Sequence, residues 1–208
     1  SGKVKIKDLN ANLELYGGEL KLKEIKGDFY GGSINGSMDV SFKEQPIRYS
    51  SKAAISEVDI DKLLKGISST RYKAKGKMNG AAYFHGDSLE LKNLNGEGSI
   101  EIRNGKASGL PFLEALADIT NISSFTQFNF ESATSDFKLD YGKELLIIKN
   151  LRLNGRDANF YINEAQVRLD GSIEGTLSAE FPRRVLANSN KFSLLLFLIG
   201  EKSSNIIF

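Results

Sequence analysis

Apolar and polar residues alternate with a period of two along most of this chain, the pattern of strands with one face buried. Clear runs are Leu20/Leu22, Ile34 through Met38, Val40 to Phe42, Leu89/Leu91 and Ile100/Ile102. Phe128/Phe130, Phe137/Leu139, Phe160/Ile162 and Val167/Leu169 continue the pattern toward the C-terminus. Between the runs stand Asn35-Gly36, Asn79-Gly80, Asn95-Gly96, Asn104-Gly105, Asn154-Gly155 and Asp170-Gly171. Such pairs accept positive φ and predict tight hairpin turns, which join antiparallel strands and cannot make parallel crossovers. The expected fold is mostly β: a long, curved antiparallel meander with a strand content well above the usual 20–25%.

Two short helices interrupt the alternation. Asp59 is a candidate N-cap for Ile60 to Lys65, where Ile60, Leu63 and Leu64 share a face and Gly66 ends the helix. Pro111 opens the second, which runs to Asn121 with Phe112, Ala115, Leu116 and Ile119 at helical spacing. Lys191 to Ile199 fits a buried strand and a short helix equally, so two or three helices are expected to flank the sheet.

A degenerate repeat runs through the meander. Leu22-Lys23-Glu24-Ile25-Lys26-Gly27 echoes Leu91-Lys92-Asn93-Leu94-Asn95-Gly96, and Ile148-Lys149-Asn150-Leu151 begins the same way. The similarity extends upstream: Leu13 to Ile25 around Tyr16-Gly17-Gly18 resembles Phe137 to Leu151 around Tyr141-Gly142-Lys143. A repeated hairpin unit builds an extended sheet in which each unit packs mainly on its neighbours. No linker divides the chain, so residues 3–208 read as one domain, with Ser1-Gly2 expected to be an expression scar on a piece of a longer protein.

Composition narrows the chemistry. Lys+Arg number 28 against 26 Asp+Glu, so no net field attracts nucleic acid, and no nucleic-acid partner is expected. Two basic runs alternate with apolar residues: Lys3, Lys5 and Lys7, and Arg71, Lys73, Lys75 and Lys77. Each lies on one strand face, either as a solvated surface or as a contact for anionic lipid head groups. The chain has no Cys, which removes disulfides, thiol catalysis and Cys-ligated zinc. His85 is the single His, no nucleophile elbow accompanies it, and phosphate-loop and metal-ligand spacings are missing. No catalytic residue, metal or cofactor is therefore assigned. The longest apolar run, Leu194 to Ile199, is six residues, against roughly 20 for a spanning helix. This piece is expected to be soluble.

Thirteen Phe and seven Tyr without a Trp accompany the one-faced strands, while only two clearly patterned helices are available to cover them. A sheet with too few covering elements leaves an apolar concavity, and large exposed apolar surfaces mark binding sites. Candidate lining residues, chosen for strand spacing near the repeat, are Phe128, Phe130, Phe137, Leu139, Phe160 and Ile162. The alternative is a sheet folded onto itself around a dry core.

Several motifs, in order, resemble the C-terminal region of the AsmA family. Phe29-Tyr30-Gly31-Gly32-Ser33-Ile34-Asn35-Gly36 through Val40 is similar to the family's LYGG signature, and Val58 to Leu64 to its short helix. Leu94-Asn95-Gly96-Glu97-Gly98-Ser99-Ile100, then Ile102 to Lys106 and Gly109, resembles its glycine-rich strand pair. Leu113 to Ile119 and Phe130 to Phe137 follow in family order, and the similarity spans about Lys7 to Ala179. The resemblance implies a Gram-negative envelope protein anchored in the inner membrane, with this region in the periplasm and a role in outer-membrane biogenesis. Large relatives of the TamB and YhdP type resemble bridge-like lipid transporters with apolar β grooves. The implied non-enzymatic function is thus the shielding of phospholipid acyl chains. A scaffold that offers strand edges or a helix face to envelope proteins, without lipid, is the other reading.

Overall fold

In the computed structural model, the described residues are 4–67, 73–88, 90–109, 113–114, 117–118, 123–168, 172–187 and 205–207. They form one antiparallel sheet in which strands follow one another in chain order. The strands are β1 Ile6–Tyr16, β2 Glu19–Phe29, β3 Gly32–Ser41, β4 Arg48–Asp59, β5 Lys73–Asp87 and β6 Asn95–Ser108. They continue as β7 Gln127–Asp140, β8 Leu145–Asn154, β9 Asn159–Arg168, β10 Ile173–Glu180 and β11 Asn205–Ile207. The expected meander is what forms, as an open sheet with β1 at one edge and β11 at the other.

Helix α1, Ile60–Ile67, follows β4 directly. The Lys62 N–H donates to Asp59 Oδ1 at 3.2 Å, which satisfies one of the orphan donors of the first turn and makes Asp59 the N-cap. Leu113, Glu114, Ala117 and Asp118 are helical within the second expected helix. Its four face residues Phe112, Ala115, Leu116 and Ile119 lie outside the described residues, and it is Leu113 and Ala117 that are buried. A further helix, α2 Arg183–Ala187, was not anticipated. The ambiguous segment Lys191 to Ile199 lies outside the described residues.

The turns fall elsewhere than the Asn-Gly pairs suggest. Asn35-Gly36, Asn79-Gly80 and Asn104-Gly105 are strand-interior, and Asn95-Gly96 opens β6. Only Asn154-Gly155 stands at a described hairpin, between β8 and β9, while Asp170-Gly171 lies outside the described residues. The strands are 10 to 15 residues long across most of the sheet, so these glycines serve close approach rather than reversal. A methyl on Gly105 would fall inside the contact distance of the Phe130 ring directly across the strand pair. Leu91 is likewise not in a strand: Leu91–Asn93 is a 3-10 turn, and Leu89 lies outside the described residues.

Candidate functional site: a charge-free sheet face

Directly opposed residues in neighbouring strands point to the same side of a sheet, so the register assigns every described strand residue to a face. One row runs Ile25, Gly36, Ala53, Ala82, Gly98, Phe137, Ile148, Ala165 and Gly175 across nine strands. A parallel row is Ile34, Ile55, Gly80, Ile100 and Ser135. Followed in this way from β1 to β10, the face carries no Asp, Glu, Lys, Arg, His, Asn or Gln. Its polar groups are confined to Ser51, Tyr49 and Ser135.

Alternation alone would lose that face, because strands twist and change phase. Five residues with positive φ restore it: Asp8, Glu24, Glu57, Asn104 and Asn150. Each follows one apolar and one polar residue and precedes an apolar residue or Gly, as in Leu22-Lys23-Glu24-Ile25 and Ile148-Lys149-Asn150-Leu151. Register shifts occur at all five of these positions, in the manner of β-bulges. The extra residue returns the next apolar side chain to the original side. Two of the three echoing segments in the sequence are therefore bulges, and the third, Leu91 to Leu94, closes a 3-10 turn instead.

Adjacent strands bind the polar groups that the bulges free. Asn12 Nδ2 donates to Glu24 Oε2 at 3.5 Å, and the Glu57 N–H donates to Asn79 Oδ1 at 3.0 Å. Opposite Asn150, the buried Ser135 hydroxyl lies 3.2 Å from the Lys149 carbonyl and 3.0 Å from that of Asp136, and can donate to either. Thus even the one fully buried polar residue on the apolar face is satisfied locally.

The face divides into a closed end and an open stretch. At the closed end, Phe128, Phe130 and Phe160 join Leu113, Ala117, Phe125, Phe181 and Val185 in a continuous buried cluster. The Phe128 and Phe160 rings meet edge to face at 4.9 Å. Elsewhere Phe84, Ile100, Phe137, Leu139, Ile148 and Ile162 are half-buried, and Leu13 and Leu15 on β1 are 64% and 68% exposed. All six candidate lining residues therefore share one face. Phe128, Phe130 and Phe160 sit in the closed core, whereas Phe137, Leu139 and Ile162 belong to the open stretch.

The opposite face is polar. It holds a shallow depression of about 830 Å³ whose side-chain walls include Lys52, Tyr83, Glu97, Asp136, Lys138 and Lys149. His85 is exposed there, stacked on Tyr83 with ring centroids 5.4 Å apart. Lys75 and Lys77 oppose Lys106 and Arg103 in register, and Arg103 is held by Glu101 at 2.9 Å. Among the described residues, no three His, Cys, Asp or Glu side chains converge as metal ligands, and no helix is long and apolar enough to cross a membrane.

The model of the AsmA family matches residues 2–147, which covers β1 through the start of β8. The chain belongs to the AsmA family, and that membership points to a lipid-related role in the cell envelope. No curated protein and no solved structure is matched.

Proposed function

We propose that this chain is a non-enzymatic periplasmic domain of an inner-membrane-anchored protein, and that its apolar face shields phospholipid acyl chains during outer-membrane biogenesis. The observation that carries this reading is the charge-free face, continuous over ten strands and closed over by a contiguous buried cluster only at one end. Each CH₂ removed from water contributes roughly 0.8 kcal/mol, so partly covered chains need no polar anchor to be retained. A solvent-facing surface free of charge is costly unless something apolar visits it, and an acyl chain matches it without leaving a polar group unpaired.

A detergent-free preparation, extracted and analysed by mass spectrometry, tests this. Phospholipid in the wild type and its loss in Phe137→Asp, with the fold retained, is the expected result. No lipid in the wild type would instead favour a scaffold for envelope proteins. One feature favours that second reading: all eleven residues of β1, the edge strand among the described residues, are exposed, as in a strand that accepts a partner strand.

A further inference from the structure

At the end of the sheet where β2 turns into β3, a cleft of about 510 Å³ is lined by Lys5, Lys7, Asp28, Tyr30, Gly31, Gly32 and Lys62. We infer that this cleft binds a phosphate group, and that the phosphate is the head group of the lipid whose chains lie on the apolar face. The lipid assignment rests on the function proposed above, whereas the phosphate assignment rests on the cleft itself.

Three ammonium groups face one carboxylate there, and Asp28 stands directly across from Lys7 in the β1–β2 register. The nearby acids are engaged elsewhere: Asp59 caps α1, and Asp61 pairs with Lys65 at 2.5 Å. Lys5, Lys7 and Lys62 have no ion pair among the described residues. The cleft therefore holds an excess of two positive charges, which a dianionic phosphate monoester offsets and a diester halves.

The cleft is also built rather than incidental. The Asp59 N–H donates to the Tyr30 carbonyl at 3.1 Å, tying the β2–β3 turn to the end of β4. Gly31 has φ of 81°, and a methyl placed on it would stand 3.0 Å from Lys62 Nζ. The glycine thus leaves room for the lysine to lie across the turn. Tyr30 packs under Gly66 of α1, where a methyl would collide with the ring. Helix and turn pack together, which sets the Lys62 backbone beside the cleft before any ligand arrives.

The position favours a lipid source over a free anion. Ile6, between Lys5 and Lys7, opposes Phe29 on the apolar face, so the cleft borders the end of that face. A phosphate in the cleft lets attached chains turn round the sheet end onto Ile6, Phe29 and Ile34.

The test is calorimetric titration with three probes: dihexanoyl phosphatidic acid, dihexanoyl phosphatidylcholine and glycerol 3-phosphate. Phosphatidic acid should bind at least tenfold more tightly than the other two. The double variant Lys7→Gln/Lys62→Gln should lose that advantage, while Lys138→Gln on the polar face should keep it. Glycerol 3-phosphate binding as tightly as phosphatidic acid, and lost in the double variant, would keep the phosphate site but overturn its lipid source. Equal affinity for both lipids, unchanged in the double variant, would overturn the cleft while leaving the apolar face as a chain-binding surface.

Discussion

Asn79 on β5 holds the bulge at Glu57 on β4 with its whole amide: Oδ1 accepts the Glu57 N–H at 3.0 Å, and Nδ2 donates to Glu57 Oε1 at 3.5 Å. That bulge moves the buried phase from Ile55 to Val58, which is completely buried. Asn79→Ala should therefore destabilise the domain by about 1 kcal/mol, the usual worth of such a bond. Asn79→Asp keeps the acceptor but sets a carboxylate against Glu57, so it should not rescue the loss. Urea denaturation reads both, and a wild-type midpoint for the alanine variant would show that the bulge does not depend on Asn79.

The two halves of the apolar face should respond differently to the same substitution. Phe160 is 2% exposed in the aromatic cluster, so Phe160→Ala should cost about 3–5 kcal/mol, and Phe160→Asp should abolish folding of that end. Phe137 lies in the half-buried stretch beside Gly98, and Phe137→Asp should leave a cooperative unfolding transition. Circular dichroism melts of the two aspartate variants check this. Equal collapse of both would mean that the stretch around Phe137 is as dry as the core.

Gly105 tests how closely the strands approach at the closed end. Its missing side chain is what lets Phe130 lie across β6, so Gly105→Ala should cost about 1–3 kcal/mol through overpacking. Pairing it with Phe130→Leu, which shortens the opposing side chain, should recover part of that cost. Strictly additive losses in the double variant would contradict the proposed contact.

Stability should change little with pH between about 5 and 9. Hydrogen bonding and charge from Lys43, with Lys21 adding, hold the Glu19 carboxyl below its usual range; Lys65 does the same for Asp61, and Lys143 for Asp140. A lowered carboxyl pKa favours the folded state above the unfolded value and loses that effect as pH falls through the lowered one. Burial, then Glu180, raises the Tyr161 pKa, and Glu90 raises that of Lys92. Those contributions are present below the unfolded values and disappear as pH rises through the raised ones. Melting temperatures across pH should thus form a plateau that falls in acid and in strong base. A step between pH 6 and 8 would point to a coupling that these groups do not supply.

The meander and the α1 cap at Asp59 were legible because each follows from local periodicity or local chemistry. The shared face of the candidate residues was not, since a strict period of two puts Phe128 and Phe130 opposite Phe137 and Leu139 and only the phase change along β7 unites them. The turns were misplaced because Asn-Gly is ambiguous. It suits a type I′ hairpin, but Asn79 uses the same amide to bind a bulge, and Gly105 the same small size to admit Phe130. The bulges did leave a mark, in segments such as Ile55-Ser56-Glu57-Val58 and Ile148-Lys149-Asn150-Leu151, where two polar residues part apolar ones that belong together. The repeat contained that mark without revealing its meaning, since the same pattern at Leu91 to Leu94 folds as a 3-10 turn. The split between a closed core and an open stretch was not legible, because it depends on which strands Phe125, Phe181 and the helices reach.

The most direct test of the apolar face as a lipid surface is photo-crosslinking in a Gram-negative host, one residue at a time. A photoreactive phenylalanine at Phe84 or Phe137 on the apolar face should capture phospholipid, whereas the same group at Glu97 or Lys138 on the polar face should not. Lipid adducts at equal yield on both faces, or on neither, would contradict the account.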